Sequence, residues 1–556
     1  MNKNNTEIFR YSLPSEWKQT KIHTLYPPIL RNGSKVKFNI FDYEMLFADE
    51  ATKELLRRGK TIGCFYIESP GMRSLLRKLD VTTFEMLTAA SSIIRPGVAE
   101  SGMMQEFITR HKDPARRKYL IPEMGSLLTE TYGVMIYQED VIKVAHHIAG
   151  LTLEEADLLR RAMSGKMRSH KAMEQITNKF FSSCKKKELT DPQAKELWRQ
   201  IESFAGYSFC KAHSASFALL SFQVAFLKAH YPAEFMASVL SNQGGFYSPA
   251  VYIQESKRLG LKIELPCINS GFYEYYGEAQ KIRIGLMAIK NLSFNSIQKI
   301  IEERKKHGRF ISLADFLVRT KIGFEETSLL INCGAMGCFK QSRPELMRLL
   351  DIYIKKRKIL EENSNNLFMN ESFLLENYVR TNRNHSLEEI CRTEYSSFDY
   401  MVTRHPLFFF KEWLSQSSIV QAKNMSLYKN KKVKMIGWYK TSKRIRTRKG
   451  DIMKFLSLED LTGTFEVVIF PKVYNIYAGL TASMGPYLVD GKIDMNDENN
   501  LIAEKIEILT SLEVKQSLQK DSVDHNYYGD KEKITEEEFN VVEKLGAEKL
   551  RRAYAV

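Results

Sequence analysis

The sequence predicts a multidomain α+β protein, mainly helical over its first half and ending in a five-stranded β-barrel. Three observations carry that expectation. The chain has 556 residues, room for roughly three or four domains at about 150 residues each. From residue 46 to 242 the apolar residues recur at helical spacing, and from 430 to 510 the period falls to two, with turn residues between the runs.

Residues 1–45 are irregular, punctuated by Tyr26-Pro27-Pro28 and Asn32-Gly33-Ser34. The helical region spans 46–242. Within it Leu153, Ala156, Leu159, Ala162 and Met163 line one side of a segment otherwise made of Glu, Asp and Arg. The run from Ser214 to Ala229 is apolar almost all round, so it is expected to cross the interior. Asn242-Gln243-Gly244-Gly245-Phe246 marks a boundary. Residues 243–345 then mix short strands (Lys281 to Leu286) with helices (Ser296 to Lys305). Residues 346–425 form a charged connecting region. In the barrel region, 426–512, strands are expected at Val433–Trp438, Met453–Leu458, Phe465–Phe470 and Tyr487–Ile493, the layout of a small closed barrel. A charged tail, 513–556, follows.

The formal net charge is +16, which attracts polyanions, and nucleic acid is the commonest such partner; a solvated basic surface is the plain alternative. Seven cysteines are scattered, and the closest pair, Cys333 and Cys338, has no second Cys/His pair at metal spacing. No metal site is expected from them, and a reducing, cytoplasmic setting fits. The start has no apolar run of the secretory kind, and Phe217 to Leu227 is too short to span a membrane.

Chemistry concentrates at Arg160-Arg161-Ala162-Met163-Ser164-Gly165-Lys166. Arg160, Arg161, Ser164 and Arg168 share roughly one helical face, and clustered guanidiniums match phosphate oxygens two by two. A solvated basic helix end would look the same. The surroundings decide between the two readings. Ile67-Glu68-Ser69 with Gly71-Met72, Arg95-Pro96-Gly97, and Thr131-Tyr132-Gly133-Val134-Met135-Ile136-Tyr137-Gln138-Glu139-Asp140 precede it. Phe204-Ala205-Gly206-Tyr207-Ser208-Phe209-Cys210-Lys211-Ala212-His213-Ser214 and Leu227-Lys228-Ala229-His230-Tyr231-Pro232 follow it. In this order the set resembles the fingers region of the bacterial DNA polymerase III alpha-subunit (C-family) polymerases.

The resemblance implies a DNA-directed DNA polymerase portion, acting in replication or repair synthesis on primer–template DNA and dNTP. Arg160 and Arg161 would grip the triphosphate with Lys166 close by, and Lys211, His213 and Ser214 would close the nucleotide pocket. Tyr137, Gln138 and Glu139 are read as supports rather than ligands. Cys210 and Ala212 stand where the family commonly has Asn and Ser, so two polar groups are lost. The family also implies Mg²⁺, held by palm carboxylates that include an Asp-x-Asp pair ahead of the fingers. The chain contains no Asp-x-Asp: Asp42-Tyr43-Glu44 reads as a helix start, and Asn39 stands where an Asp is expected. The family's phosphoesterase-type domain has no counterpart. Catalysis is therefore expected to need a palm from elsewhere, for instance a separate palm-containing chain, and a noncatalytic DNA-binding or scaffold relative stays open.

Downstream, Ile284 to Lys290 and Leu330 to Phe339 resemble the family's tandem helix-hairpin-helix region, with Lys290 a DNA contact and Asn291-Leu292-Ser293 in place of a glycine hairpin. Leu367 and Phe368 lie where relatives carry a sliding-clamp peptide, but without its usual Gln, and a chance Leu-Phe in a polar linker is the favoured reading. His405-Pro406-Leu407 leads into a barrel of the oligonucleotide-binding (OB) type. Its first hairpin loop is read as holding Lys440, Lys443, Arg444, Arg446, Arg448 and Lys449, six cations that repel one another unless a polyanion lies against them. Trp438 or Tyr439 would stack bases beside them.

Overall fold

The computed structural model describes residues 39–94, 102–163, 170–202, 210–355, 384–447 and 449–509. Of the described residues, those up to Glu507 form one compact unit. Asp42 accepts from Met45 N and so caps α1 (Tyr43–Ala48), as expected of a helix start rather than a metal ligand. Asp49, Ser69 and Thr83 cap α2 (Glu50–Arg57), α3 (Pro70–Lys78) and α4 (Phe84–Ile93), each side-chain oxygen taking an orphan N–H of the first turn. Then come α5 (Met103–Lys112), α6 (Gln138–Lys143), α7 (Leu153–Met163), α8 (His170–Lys186) and α9 (Asp191–Glu202). The centre of this half is α10 (Lys211–His230), packed on α2 and α4.

The core of α10 is Ala218, Phe222, Ala225 and Phe226, with the Phe222 ring edge-on to Phe47 at 5.1 Å. One face is less closed than expected: Leu220 is 48% exposed. The α7 stripe holds for Ala156, Leu159 and Ala162, but Leu153, its first residue, is 61% exposed because the helix reaches the core only a turn later. Lys228 of α10 is wholly buried. Its ammonium donates to Lys60 O, Ile62 O and Glu255 Oε1, all at 2.7 Å, so the charge is both paired and fully hydrogen-bonded.

After α11 (Pro232–Asn242) and α12 (Pro249–Arg258) a small sheet forms from β1 (Lys262–Glu264), β2 (Tyr276–Glu278) and β3 (Lys281–Arg283), in the order β1-β3-β2. Gly277 makes the sheet's approach to α11 feasible, since a Cβ there would lie 2.1 Å from Ala233 O. The strand expected to reach Leu286 stops at Arg283, and Leu286–Ala288 turns as a 3₁₀ helix. Helices α13 (Phe294–His307), α14 (Leu313–Thr320), α15 (Phe324–Asn332) and α16 (Arg343–Lys355) follow. In the first hairpin Asn291 takes the left-handed backbone (φ 61°) that a glycine would otherwise supply, and Ser293 caps α13. Beyond residue 383, α17 (Leu387–Phe398) starts from a Ser386/Glu389 capping box.

The C-terminal barrel is closed and five-stranded, as expected. Its strands are β4 (Lys432–Arg446), β5 (Ile452–Glu459), β6 (Thr464–Ile469), β7 (Tyr487–Ile493) and β8 (Asn500–Ile508), in the order β4-β5-β6-β8-β7, with β4 pairing β7 to close it. The β6–β8 pairing is parallel, and β4–β5, β4–β7 and β5–β6 are antiparallel. Helix α18 (Pro471–Tyr477) follows β6. The first strand corrects the sequence reading. Residues 440–446 are ladder, not loop, paired from Thr441↔Ser457 to Arg446↔Ile452 after a bulge at Tyr439/Thr441.

Candidate phosphate and nucleic-acid site

Three consecutive residues organise the first half. The chain enters α6 through Tyr132 (φ 56°) and Gly133 (φ 76°), where a Cβ on Gly133 would meet the Tyr119 ring at 2.5 Å. Asp140 then accepts from Ile136 N and Tyr137 N, both at 3.0 Å, fixing the turn; burial pushes its carboxyl up to about 6. From that fixed turn Tyr137, Gln138 and Glu139 each take a partner. Gln138 Oε1 accepts from Arg160 Nη1 at 3.0 Å. Glu139 Oε2 accepts from Lys211 N at 2.9 Å, at the N-terminus of α10, where a carboxylate is favoured. The Lys211 ammonium lies 5.6 Å from the centre of the Tyr137 ring and pairs with Glu130.

One turn thus bonds both Arg160, near the end of α7, and the first N–H of α10 at Lys211. Asp157 completes the cluster. Its Oδ1 takes Arg160 Nε and Nη2, each at 2.8 Å, and its Oδ2 takes Arg161 Nε at 2.7 Å. The Arg160 hydrogen bond, foremost, holds the Asp157 carboxyl below its ordinary range. Arg160 is 20% exposed and Arg161 61%. Ser214 lies apart from this surface, fully buried, with its hydroxyl hydrogen-bonded to Ser92 Oγ at 2.7 Å. Lys166, with Ser164 and Arg168, lies outside the described residues, as do Arg95 to Gly97 and Phe204 to Phe209.

The sequence reading missed an aromatic group on the same helix. The His213 ring lies 4.4 Å from Phe217, which packs on Tyr66 at 5.0 Å and stacks on Phe65 at 5.4 Å. Phe65 is 47% exposed, and Tyr66 holds a left-handed φ of 69°, a strained backbone for an aromatic residue. Ser221 ties the loop down by donating to Phe65 O at 3.1 Å. These rings come from distant parts of the chain, and the only signal within reach was the aromatic pair Phe65-Tyr66 just ahead of Ile67-Glu68-Ser69.

On the barrel, Lys443, Arg444, Arg446 and Lys449 are exposed, and Arg448 lies outside the described residues. Arg444 pairs across the ladder with Lys454, like charges face to face, an arrangement that an anion would relieve. Lys454 is itself buried against Thr481, and burial, with Arg444 beside it, lowers its ammonium to about 8. Lys440 is a correction. It is 6% exposed, its ammonium 4.8 Å from the Tyr247 ring and without a hydrogen-bond partner among the described residues. It belongs to a buried junction between α12 and the barrel, not to a loop. There Arg258 bonds Glu459 Oε2 at 3.0 Å and His405 Nε2 faces Glu459 Oε1 at 3.3 Å. Burial would raise the Glu459 carboxyl, but His405, Arg258 and Lys440 outweigh it and hold it at about 2. Near α3, Ser74 Oγ bonds Asp497 Oδ2 at 2.5 Å and Arg77 faces its Oδ1 at 3.5 Å, docking the β7–β8 loop.

In the connecting helices Lys290 pairs with Asp399. Leu367 and Phe368 lie outside the described residues. Among the described residues no group of His, Cys, Asp or Glu is placed to hold a metal ion, and no helix is long and apolar enough to cross a membrane.

The sequence model of the bacterial DNA polymerase III alpha subunit finger domain matches residues 19–188, and a helix-hairpin-helix motif matches 260–346. The DNA polymerase III subunit alpha of Staphylococcus aureus (strain MRSA252) is 32% identical over 488 residues, 85% of this chain and 44% of the relative. That of Bacillus subtilis (strain 168) is 30% identical over 479 residues, 85% of this chain and 42% of the relative. The chain therefore spans less than half the length of the relatives it matches.

Proposed function

This chain belongs to the bacterial DNA polymerase III alpha-subunit family, corresponding to a C-terminal portion of it, and on that premise we propose that it binds the incoming dNTP and primer–template DNA for DNA synthesis. The observation that carries the nucleotide half is that one turn holds Arg160 through Gln138 and Lys211 through Glu139 and Tyr137, while Asp157 ties Arg161 to Arg160. The three cations take the triphosphate by charge-assisted bonds. His213, Phe217 and the exposed Phe65 offer ring faces for the base, and Ser214 acts from inside by fixing the first turn of α10 to Ser92. Lys166 joins the phosphate cluster from the adjoining segment. The duplex runs along the helix-hairpin-helix helices, where Lys290 contributes once released from Asp399. A single strand runs along Lys443, Arg444, Arg446, Arg448 and Lys449 of the barrel.

The described residues do not fit Mg²⁺, lacking a carboxylate set for it. Nucleotidyl transfer accordingly draws on a palm supplied by further sequence or by a separate chain. The same feature favours one rival, a noncatalytic DNA-binding relative. Equilibrium binding of labelled primer–template and of dATP to the purified chain tests the proposal. Binding of both supports it; DNA binding without dATP binding turns the reading to the noncatalytic relative, and neither sinks both.

A further inference from the structure

We infer that Asp157 is a specificity-determining residue of the nucleotide site: an internal counter-anion that the incoming phosphates displace, so that polyphosphates are admitted and monophosphates are not. The inference rests on the nucleotide reading above. One carboxylate spans both guanidiniums, Oδ1 toward Arg160 and Oδ2 toward Arg161, in the two-pronged manner a phosphate would use. Lys211 is likewise held by Glu130, and Glu139 sits on the first N–H of α10. Among the described residues, all three cations thus already hold a carboxylate, Asp157 for both arginines and Glu130 for Lys211. An anion gains little from them until a carboxylate is exchanged.

Only a ligand that offers several negative oxygens makes good the pairs it breaks. Gln138 matters to that exchange because it is uncharged. It keeps Arg160 in place through Nη1 while Asp157 lets go of Nε and Nη2. Helical ion pairs at this spacing also occur as ordinary surface stabilisation. Here, however, both belong to the one carboxylate that faces the two arginines at the helix end.

The test is calorimetric binding of dATP and of dAMP to the purified chain, to Asp157→Asn and to Arg160→Ala/Arg161→Ala, with melting temperatures as a fold control. Asp157→Asn should bind dATP about two- to fivefold tighter, the worth of an exposed ion pair, and gain proportionally more for dAMP, so that discrimination falls. Equal or weaker dATP binding with an unchanged dATP/dAMP ratio overturns the inference and makes Asp157 an orienting group only. Equal dATP affinity of the wild type and Arg160→Ala/Arg161→Ala is a different result, and it removes the nucleotide site itself.

Discussion

Arg160 donates through Nη1 to the side-chain oxygen of Gln138, 22 residues earlier in the chain, at 3.0 Å. That bond aims one guanidinium from a turn whose own backbone is locked by Asp140. Gln138→Ala should lower dATP affinity about three- to tenfold, the loss of a hydrogen bond to a charged group, and leave the melting temperature nearly unchanged. Calorimetry beside a melting curve checks it; undiminished affinity would mean that Arg160 is positioned by Asp157 alone.

Phe65 presents an exposed ring at the end of the stack that begins with His213. Phe65→Ser should weaken dATP binding about tenfold through lost stacking, yet spare tripolyphosphate, which has no base. Equal losses for both ligands would show that the ring supports the fold rather than the base.

Lys440 gives the junction between helices and barrel a pH dependence. Burial, with Arg258 and Arg73 beside it and Glu459 opposing, lowers its ammonium from 10.5 to about 7. Between those values the unfolded chain holds the proton and the folded chain does not, so stability rises with pH across that window. Melting temperatures at pH 6.5 and 9 should show a smaller rise in Lys440→Met than in the wild type, the remainder owing in part to Lys454. An equal rise would place the titration elsewhere.

The exposed cations of the first barrel hairpin carry the single-strand prediction. Substituting Lys443, Arg444 and Arg446 by Ala should flatten the slope of log affinity against log salt by about 0.7 for each phosphate no longer neutralised. Anisotropy with an oligothymidylate at several salt concentrations measures it, and an unchanged slope would move the strand to another face.

Much of this was legible in the sequence, because local periodicity and motif order survive folding. The helical half and the closed barrel both follow from short-range pattern. What escaped depends on distant partners. Lys440 reads as a loop cation until Tyr247, Arg258 and Glu459 close around it, and the ring of Phe65 meets Phe217 only through the fold. Asp157 was within reach, standing three and four residues ahead of Arg160 and Arg161, but ion pairs at that spacing are common on helices.

The most direct measurement is equilibrium binding of dATP to the purified chain and to Arg160→Ala/Arg161→Ala, with primer–template binding measured on the same samples. The account predicts that dATP affinity falls about tenfold or more when the two charge-assisted partners are removed, while DNA affinity is unchanged. Equal dATP affinity in the two proteins would contradict it.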